Sequence, residues 1–199
     1  MDNFCQFKRI TLTGAPGCGK SAVLKHLKQI HNPAYHVAFI DEVATKVLNS
    51  LPTMRSLSPA FFQGTVTTCQ AQIEEAILSE WKQNNLDHGL VIADRGLYDY
   101  FCYTTPEQEK HLNAKFNFTP YDLVIYLHGI YEGQKENDVR TESPEEVDRL
   151  DKIGLDVWKK SVICKHDLIE IDYTPHLEDK VRCVAKAINA IFMKQYFNL

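Results

Sequence analysis

The sequence predicts an α/β chain built in three layers, a parallel five-stranded sheet with helices on both faces, folded as one domain over residues 1–199. Three observations carry this reading. Short apolar runs recur along the chain and are separated by segments of helix length, the pattern of strands alternating with helices. Two of the runs, Leu90-Val91-Ile92-Ala93 and Leu123-Val124-Ile125-Tyr126-Leu127, are continuous rather than alternating, as expected of strands covered on both faces. The glycine-rich segment Gly14 to Ser21 joins the first apolar run to a segment with one apolar face, so a tight turn links strand to helix.

Five strands are expected, over Lys8 to Thr13, His36 to Ile40, Leu90 to Ala93, Tyr121 to Leu127 and Asp167 to Ile171. Val23, Leu24, Leu27 and Ile30 mark the helix after the first strand, and Val43 to Leu48 the helix after the second. Four Ser/Thr-Pro pairs read as helix starts, with the hydroxyl capping the first turn and proline in the first helical position, where no N–H is needed. Ser58-Pro59 opens a long helix to about Lys82. Thr105-Pro106 and Ser143-Pro144 open two more, with Gln108 and Glu146 completing capping boxes, and Thr174-Pro175 opens the last. After Ser143, Val147, Leu150, Gly154 and Val157 form a packing stripe with Trp158 beside it. The polar stretch from Gly129 to Ser143 has no core pattern and is a candidate lid.

Composition excludes several classes. With 44% apolar and 24% charged residues, the chain has enough apolar material for a full core. The net charge of −4 arises from 26 acidic and 22 basic residues that are scattered, with no basic cluster to follow a phosphate backbone, so nucleic acid is not an expected partner. The six cysteines show neither a C-x-x-C pair nor metal-ligand spacing, which fits reduced thiols in a cytoplasmic protein. No run is long enough for a transmembrane segment.

The segment Gly14-Ala15-Pro16-Gly17-Cys18-Gly19-Lys20-Ser21 carries the chemistry. A loop of this kind aims successive backbone N–H groups at an anion, and the following helix adds the partial positive charge of its N-terminus. Lys20 is expected to reach the β- and γ-phosphates of ATP or GTP, and Ser21 to ligate Mg²⁺. Cys18 is either an oxidation-sensitive thiol or a small filler residue.

In an open α/β sheet ligands collect beyond the carboxyl ends of the strands, where this chain places further charge. Asp94 is read as a metal ligand, directly or through water, or as the cap of a following helix. Arg95 beside it either binds a phosphate or the acceptor or is a surface or structural arginine. Glu42 or Asp41 is expected to take a proton from an acceptor hydroxyl or to orient it, or to cap the helix from Val43. Arg140, in the candidate lid, either neutralises the transferred phosphoryl group or is a solvated loop arginine. Cys164-Lys165-His166-Asp167 is not read as a guanine reader, because it precedes a strand and begins with cysteine. Tyr173-Thr174-Pro175 is a base-side loop candidate.

On Gly14 to Ser21, Glu42 with Val43-Ala44-Thr45-Lys46, Phe62-Gln63 with Gln70 and Glu74, Asp94-Arg95 and Asn137-Asp138-Val139-Arg140, the chain resembles the NadR-type, ribosylnicotinamide-kinase-like AAA domain family. The resemblance spans nearly the whole chain and implies the P-loop kinase type of NTPase fold, with sheet order 2-3-1-4-5. It implies that Glu42 contacts an acceptor hydroxyl, that Asp94 serves the metal and that Arg140 contacts phosphates. Lys46 and Val139 stand where many relatives carry arginine and glycine. The expected activity is transfer of the γ-phosphoryl of ATP to a small hydroxylated, nucleoside-like acceptor held near Glu42, Arg95 and Gln70, with Asp41 and Glu74 as further acceptor candidates. The alternative is a regulatory ATP/GTP-dependent switch that reports to a protein or lipid partner.

Overall fold

The computed structural model describes residues 6–104, 120–129, 143–160 and 167–199. The candidate lid, with Arg140, and the helix start at Thr105-Pro106 lie outside the described residues. In order, the elements are β1 (Gln6–Thr13), α1 (Lys20–Ile30), β2 (Val37–Ile40), α2 (Val43–Ser50), a 3-10 turn (Pro52–Ser56), α3 (Pro59–Gln83) and β3 (His88–Asp94). A second 3-10 turn (Asp99–Tyr103), β4 (Leu123–Leu127), α4 (Pro144–Lys160), β5 (Asp167–Ile171) and α5 (Leu177–Phe192) complete them. All five expected strands form, with ends shifted by a few residues. They pair in parallel in the order β2-β3-β1-β4-β5, the order that the resemblance implies.

Why the middle strands read as continuous apolar runs is visible in their packing. Leu90 and Ile92 of β3, and Leu123, Ile125 and Leu127 of β4, join the core shared with α1 and α5. The residues between them point the other way. Val91 and Ala93 pack with Leu78 of α3 and Val43 of α2, and Val124 and Tyr126 pack with Trp158 of α4. A period of two in a strand covered on both faces leaves no polar position.

Three local expectations are corrected. The last helix starts at Leu177, not at Pro175, and Thr174 donates to the carbonyl of His176 instead of capping. At α4, Ser143 Oγ accepts from Glu146 N at 3.3 Å, but the Glu146 carboxylate turns to Arg149, so only half of the capping box forms. In α4 the buried positions are Leu150, Gly154 and Trp158, one every fourth residue, so Trp158 lies at the centre of the stripe. Ser58 does cap α3, its hydroxyl accepting from Phe61 N.

Trp158 also fastens the fold to the loop after β3. Its ring lies against Gly96, where an added Cβ would meet indole carbons at 2.6 and 2.7 Å and Thr11 Oγ1 at 2.9 Å. Trp158 Nε1 donates to Asp99 Oδ1 at 2.9 Å and to Thr13 Oγ1 at 3.1 Å. Gly96→Ala is therefore expected to lower stability by about 1–3 kcal/mol through overpacking. Urea unfolding checks this, and a midpoint equal to that of the unsubstituted chain would contradict it.

Candidate functional site

Three glycines shape the loop between β1 and α1. Gly14, Gly17 and Gly19 have φ of +133°, +89° and +95°, a region that L side chains rarely adopt. At Gly14 a Cβ would lie 2.3 Å from the carbonyl oxygen of Leu127, so only glycine lets the loop pass the end of β4. Gly19 occupies the N-cap position of α1, and Lys20 is the first helical residue. The Lys20 ammonium is buried and folds back over the loop, donating to the carbonyls of Gly14 and Ala15, each at 2.8 Å. Cys18 is fully buried, which favours the filler reading over an accessible thiol.

Two residues missed in the sequence brace this loop. Lys180 of α5 is buried and donates to the carbonyls of Cys18 at 3.0 Å and His128 at 3.1 Å, tying the loop to the end of β4. Asp99 accepts from Thr13 Oγ1, from Trp158 Nε1 and from Gly96 N, so one carboxylate joins β1, α4 and the loop after β3. Neither sits in a motif. Each partner set is assembled from distant segments, and that leaves no local signal.

Asp94 ends β3 opposite the helix start. Its Oδ2 accepts from Ser21 Oγ at 2.5 Å, while Oδ1 is buried without a hydrogen-bond partner. Burial pushes the Asp94 carboxyl above its ordinary value and Glu42 adds to this, against the pull of Lys20 and of the Ser21 hydroxyl. A hydroxyl and a carboxylate with one unused buried oxygen form a donor set suited to a hard divalent cation, which prefers oxygen ligands. The helix-cap alternative does not apply, because Asp99 and not Asp94 accepts from the Gly96 amide.

Arg95 follows with φ +74°, a left-handed conformation uncommon for a residue with a side chain. That turn brings its Nε to Glu42 Oε1 at 2.8 Å, and Glu42 Oε2 also accepts from Thr45 Oγ1 at 2.7 Å. Burial by itself would raise the Glu42 carboxyl. The Arg95 guanidinium and the Thr45 hydroxyl outweigh it and hold the group at about 2. Arg95 is thus an ion-paired residue of the crevice and not a surface arginine. Asp41, offered above as an equal candidate, turns away. It is half exposed and paired with Lys28 and Lys46, and neither Asp41 nor Glu42 caps α2 with its side chain.

A cavity of about 150 Å³ opens beside the ion pair, between α2, α3 and the second 3-10 turn, with Glu42, Thr45, Gln70 and Arg95 among its lining. A smaller hollow next to it is lined by Gly14, Ala15 and Pro16. Arg95, Asp99 and Tyr103 border both, so they divide the phosphate loop from the cavity. Glu74 does not line either hollow. It is buried beneath, accepting from Gln70 Nε2 at 3.0 Å and from Tyr121 Oη at 2.7 Å, with Arg9 Nη2 3.2 Å away. Burial raises its carboxyl, opposed by Arg9.

Comparisons with known proteins agree with this architecture. The model of a family described as "AAA domain" matches residues 9–180. A comparison with curated proteins finds no match. Among solved structures, the thymidylate kinase of Ehrlichia chaffeensis superposes with a TM-score of 0.62 at 17% identity, covering 92% of this chain and 99% of that one. At that identity the likeness concerns the fold: a parallel sheet of order 2-3-1-4-5 with helices on both faces, the P-loop kinase arrangement. Among the described residues no helix is long and apolar enough to cross a membrane.

The Glu42 pair has a pH signature. A carboxyl held at about 2 against an ordinary 4.5 contributes stability that is present above about pH 4.5 and is lost as pH falls through 2. Of order 3 kcal/mol is at stake for a shift of this size. The stability difference between the unsubstituted chain and Glu42→Gln, followed by urea unfolding, is expected to shrink steadily from pH 5 to pH 2. A difference that stays constant over that window would contradict the pairing.

Proposed function

Because this chain belongs to the AAA domain family, we propose that it is a magnesium- and ATP-dependent phosphotransferase, acting on a small nucleoside-like acceptor. The observation that carries the proposal is the adjacency of the two hollows, one against the phosphate loop and one beside Glu42, with Arg95 between them. A chain that only bound and released nucleotide would have no need of a second cavity lined by an ionised carboxylate. The sequence resemblance to ribosylnicotinamide-kinase-like domains on Gly14 to Ser21, Glu42 and Asp94-Arg95 supports a hydroxyl acceptor of nucleoside type.

In this reading the loop amides and Lys20 hold the β- and γ-phosphates, with the N-terminus of α1 adding its field. Lys20 must exchange its bonds to the Gly14 and Ala15 carbonyls for phosphate oxygens. Ser21 and Asp94 would hold Mg²⁺, which supplies neutralisation of the phosphate charge. Glu42 accepts a hydrogen bond from the acceptor hydroxyl and turns its oxygen toward the phosphorus. With its carboxyl held near 2, Glu42 is too weak a base to remove the proton early. Phosphoryl transfer through a loose transition state does not require early removal, so alignment is the larger contribution. Arg140 is proposed to reach the phosphates from the segment 129–143, and the phosphates are proposed to be those of ATP in a cytoplasmic protein.

The test is ATP turnover with a panel of nucleosides. Addition of the right acceptor is expected to raise turnover. Glu42→Gln is expected to lower kcat about 100-fold or more, with little change in the KM for ATP, as for loss of a group that aligns the reacting atoms. Lys20→Ala is expected to remove ATP binding. Basal turnover unchanged by every nucleoside, with ATP still bound, would replace this reading with that of a switch.

A further inference from the structure

Within the cavity beside Glu42 one side chain has no freedom to choose its hydrogen-bonding role. Gln70 is buried on α3, and its amide nitrogen donates to the backbone carbonyl of Arg95 at 2.6 Å and to Glu74 Oε1 at 3.0 Å. A backbone carbonyl can only accept, so the nitrogen end of the amide must face it and both amide hydrogens are used. Gln70 therefore presents its carbonyl oxygen to the cavity, as an acceptor only.

This orientation is enforced from below. Glu74 Oε1 also accepts from Tyr121 Oη at 2.7 Å, and Tyr121 Oη accepts from the Leu97 amide at 3.1 Å, so the donors Tyr121 and Gln70 converge on one carboxylate oxygen that is held in place from the backbone after β3. The Arg95 carbonyl is fixed in turn by the left-handed turn at Arg95 and by the bond from its own amide to Leu12 O. An amide flip would lose both bonds and set the amide oxygen against two acceptors, Arg95 O and Glu74 Oε1.

Leu48, Phe62, Val66 and Tyr103 supply flat and apolar wall beside the Gln70 acceptor oxygen.

We propose that Gln70 is the specificity-determining residue of the acceptor cavity, selecting an acceptor ring that carries an N–H donor on its edge. This rests on the reading of the cavity as the acceptor site. Glu74 acts through Gln70 as a positioning residue and does not touch the acceptor. Rings whose edge nitrogen is methylated leave the Gln70 oxygen unpaired.

The test uses two matched pairs of probes on the full chain without ATP: uridine against 3-methyluridine, and 2-pyridone against 1-methyl-2-pyridone, with affinities from ligand-observed NMR titration. The N–H member of each pair is expected to bind at least about 10-fold more tightly, as for one buried group left unpaired. Gln70→Met should bring that ratio to within about 2-fold. Equal affinities within both pairs, or no binding of either N–H member, overturns the proposal. Ring discrimination in a chain that transfers no phosphoryl group would remove the kinase reading and leave the ring-edge preference standing. Transfer to nucleosides without discrimination would do the reverse.

Discussion

The ion pair between Arg95 and Glu42 is the constraint on which the site depends. It closes across the carboxyl ends of two neighbouring strands, β2 and β3, and it exists only because the backbone at Arg95 takes a left-handed turn. That turn costs of order 1–3 kcal/mol in an ordinary residue, and the surrounding bonds must over-determine it. They do so from three sides: the Arg95 amide on Leu12 O, the Arg95 carbonyl on Gln70, and the guanidinium on Glu42. Strain held in this way at the mouth of a crevice marks a position chosen for what it presents and not for packing.

From that one residue the rest of the site is ordered outward. On one side Asp94, its neighbour in sequence, meets Ser21 at the start of α1, so the carboxylate bonded to Ser21 and the arginine paired with Glu42 are set by consecutive residues. On the other side Gln70 and Glu74 hang beneath the Arg95 carbonyl, and Arg9 and Tyr121 carry the network into the sheet. Asp99 and Trp158 close the far wall. Charge in this crevice is arranged in opposition. Burial raises the carboxyls of Asp94 and Glu74, while Arg95 holds that of Glu42 down, so neighbouring acids are shifted in opposite directions by their surroundings.

Much of this was legible in the sequence where the signal is local. Recurring apolar runs marked all five strands, and the two central runs were continuous because burial on both faces writes itself into consecutive residues. The glycines of the phosphate loop stood out because a positive φ leaves few alternatives. Glu42, Asp94 and Arg95 were legible as residues immediately past strands. What sequence could not convey was direction. Asp41 and Glu42 are adjacent, yet only the second faces the crevice, since the first is drawn off by Lys28 and Lys46. Glu74 looked like a partner of the acceptor, and its burial among Arg9, Tyr121 and Gln70 depends on contacts up to 65 residues away in the chain. Asp99 and Lys180 act through side-chain bonds to distant backbone, for which no spacing rule exists. The Ser/Thr-Pro pairs were informative at α3 and misleading at α5, where Thr174 found a carbonyl two residues on before it could cap.

The central claim is that the phosphate loop and the cavity beside Glu42 form one reaction site. It is tested most directly by incubating the chain with magnesium and ATP labelled at the γ-phosphoryl group, in a mixture of nucleosides, and following where the label goes. The account predicts label in a nucleoside monophosphate, and loss of that product in Glu42→Gln with ATP binding retained. Label released only as inorganic phosphate, at the same rate with and without nucleosides, would contradict it.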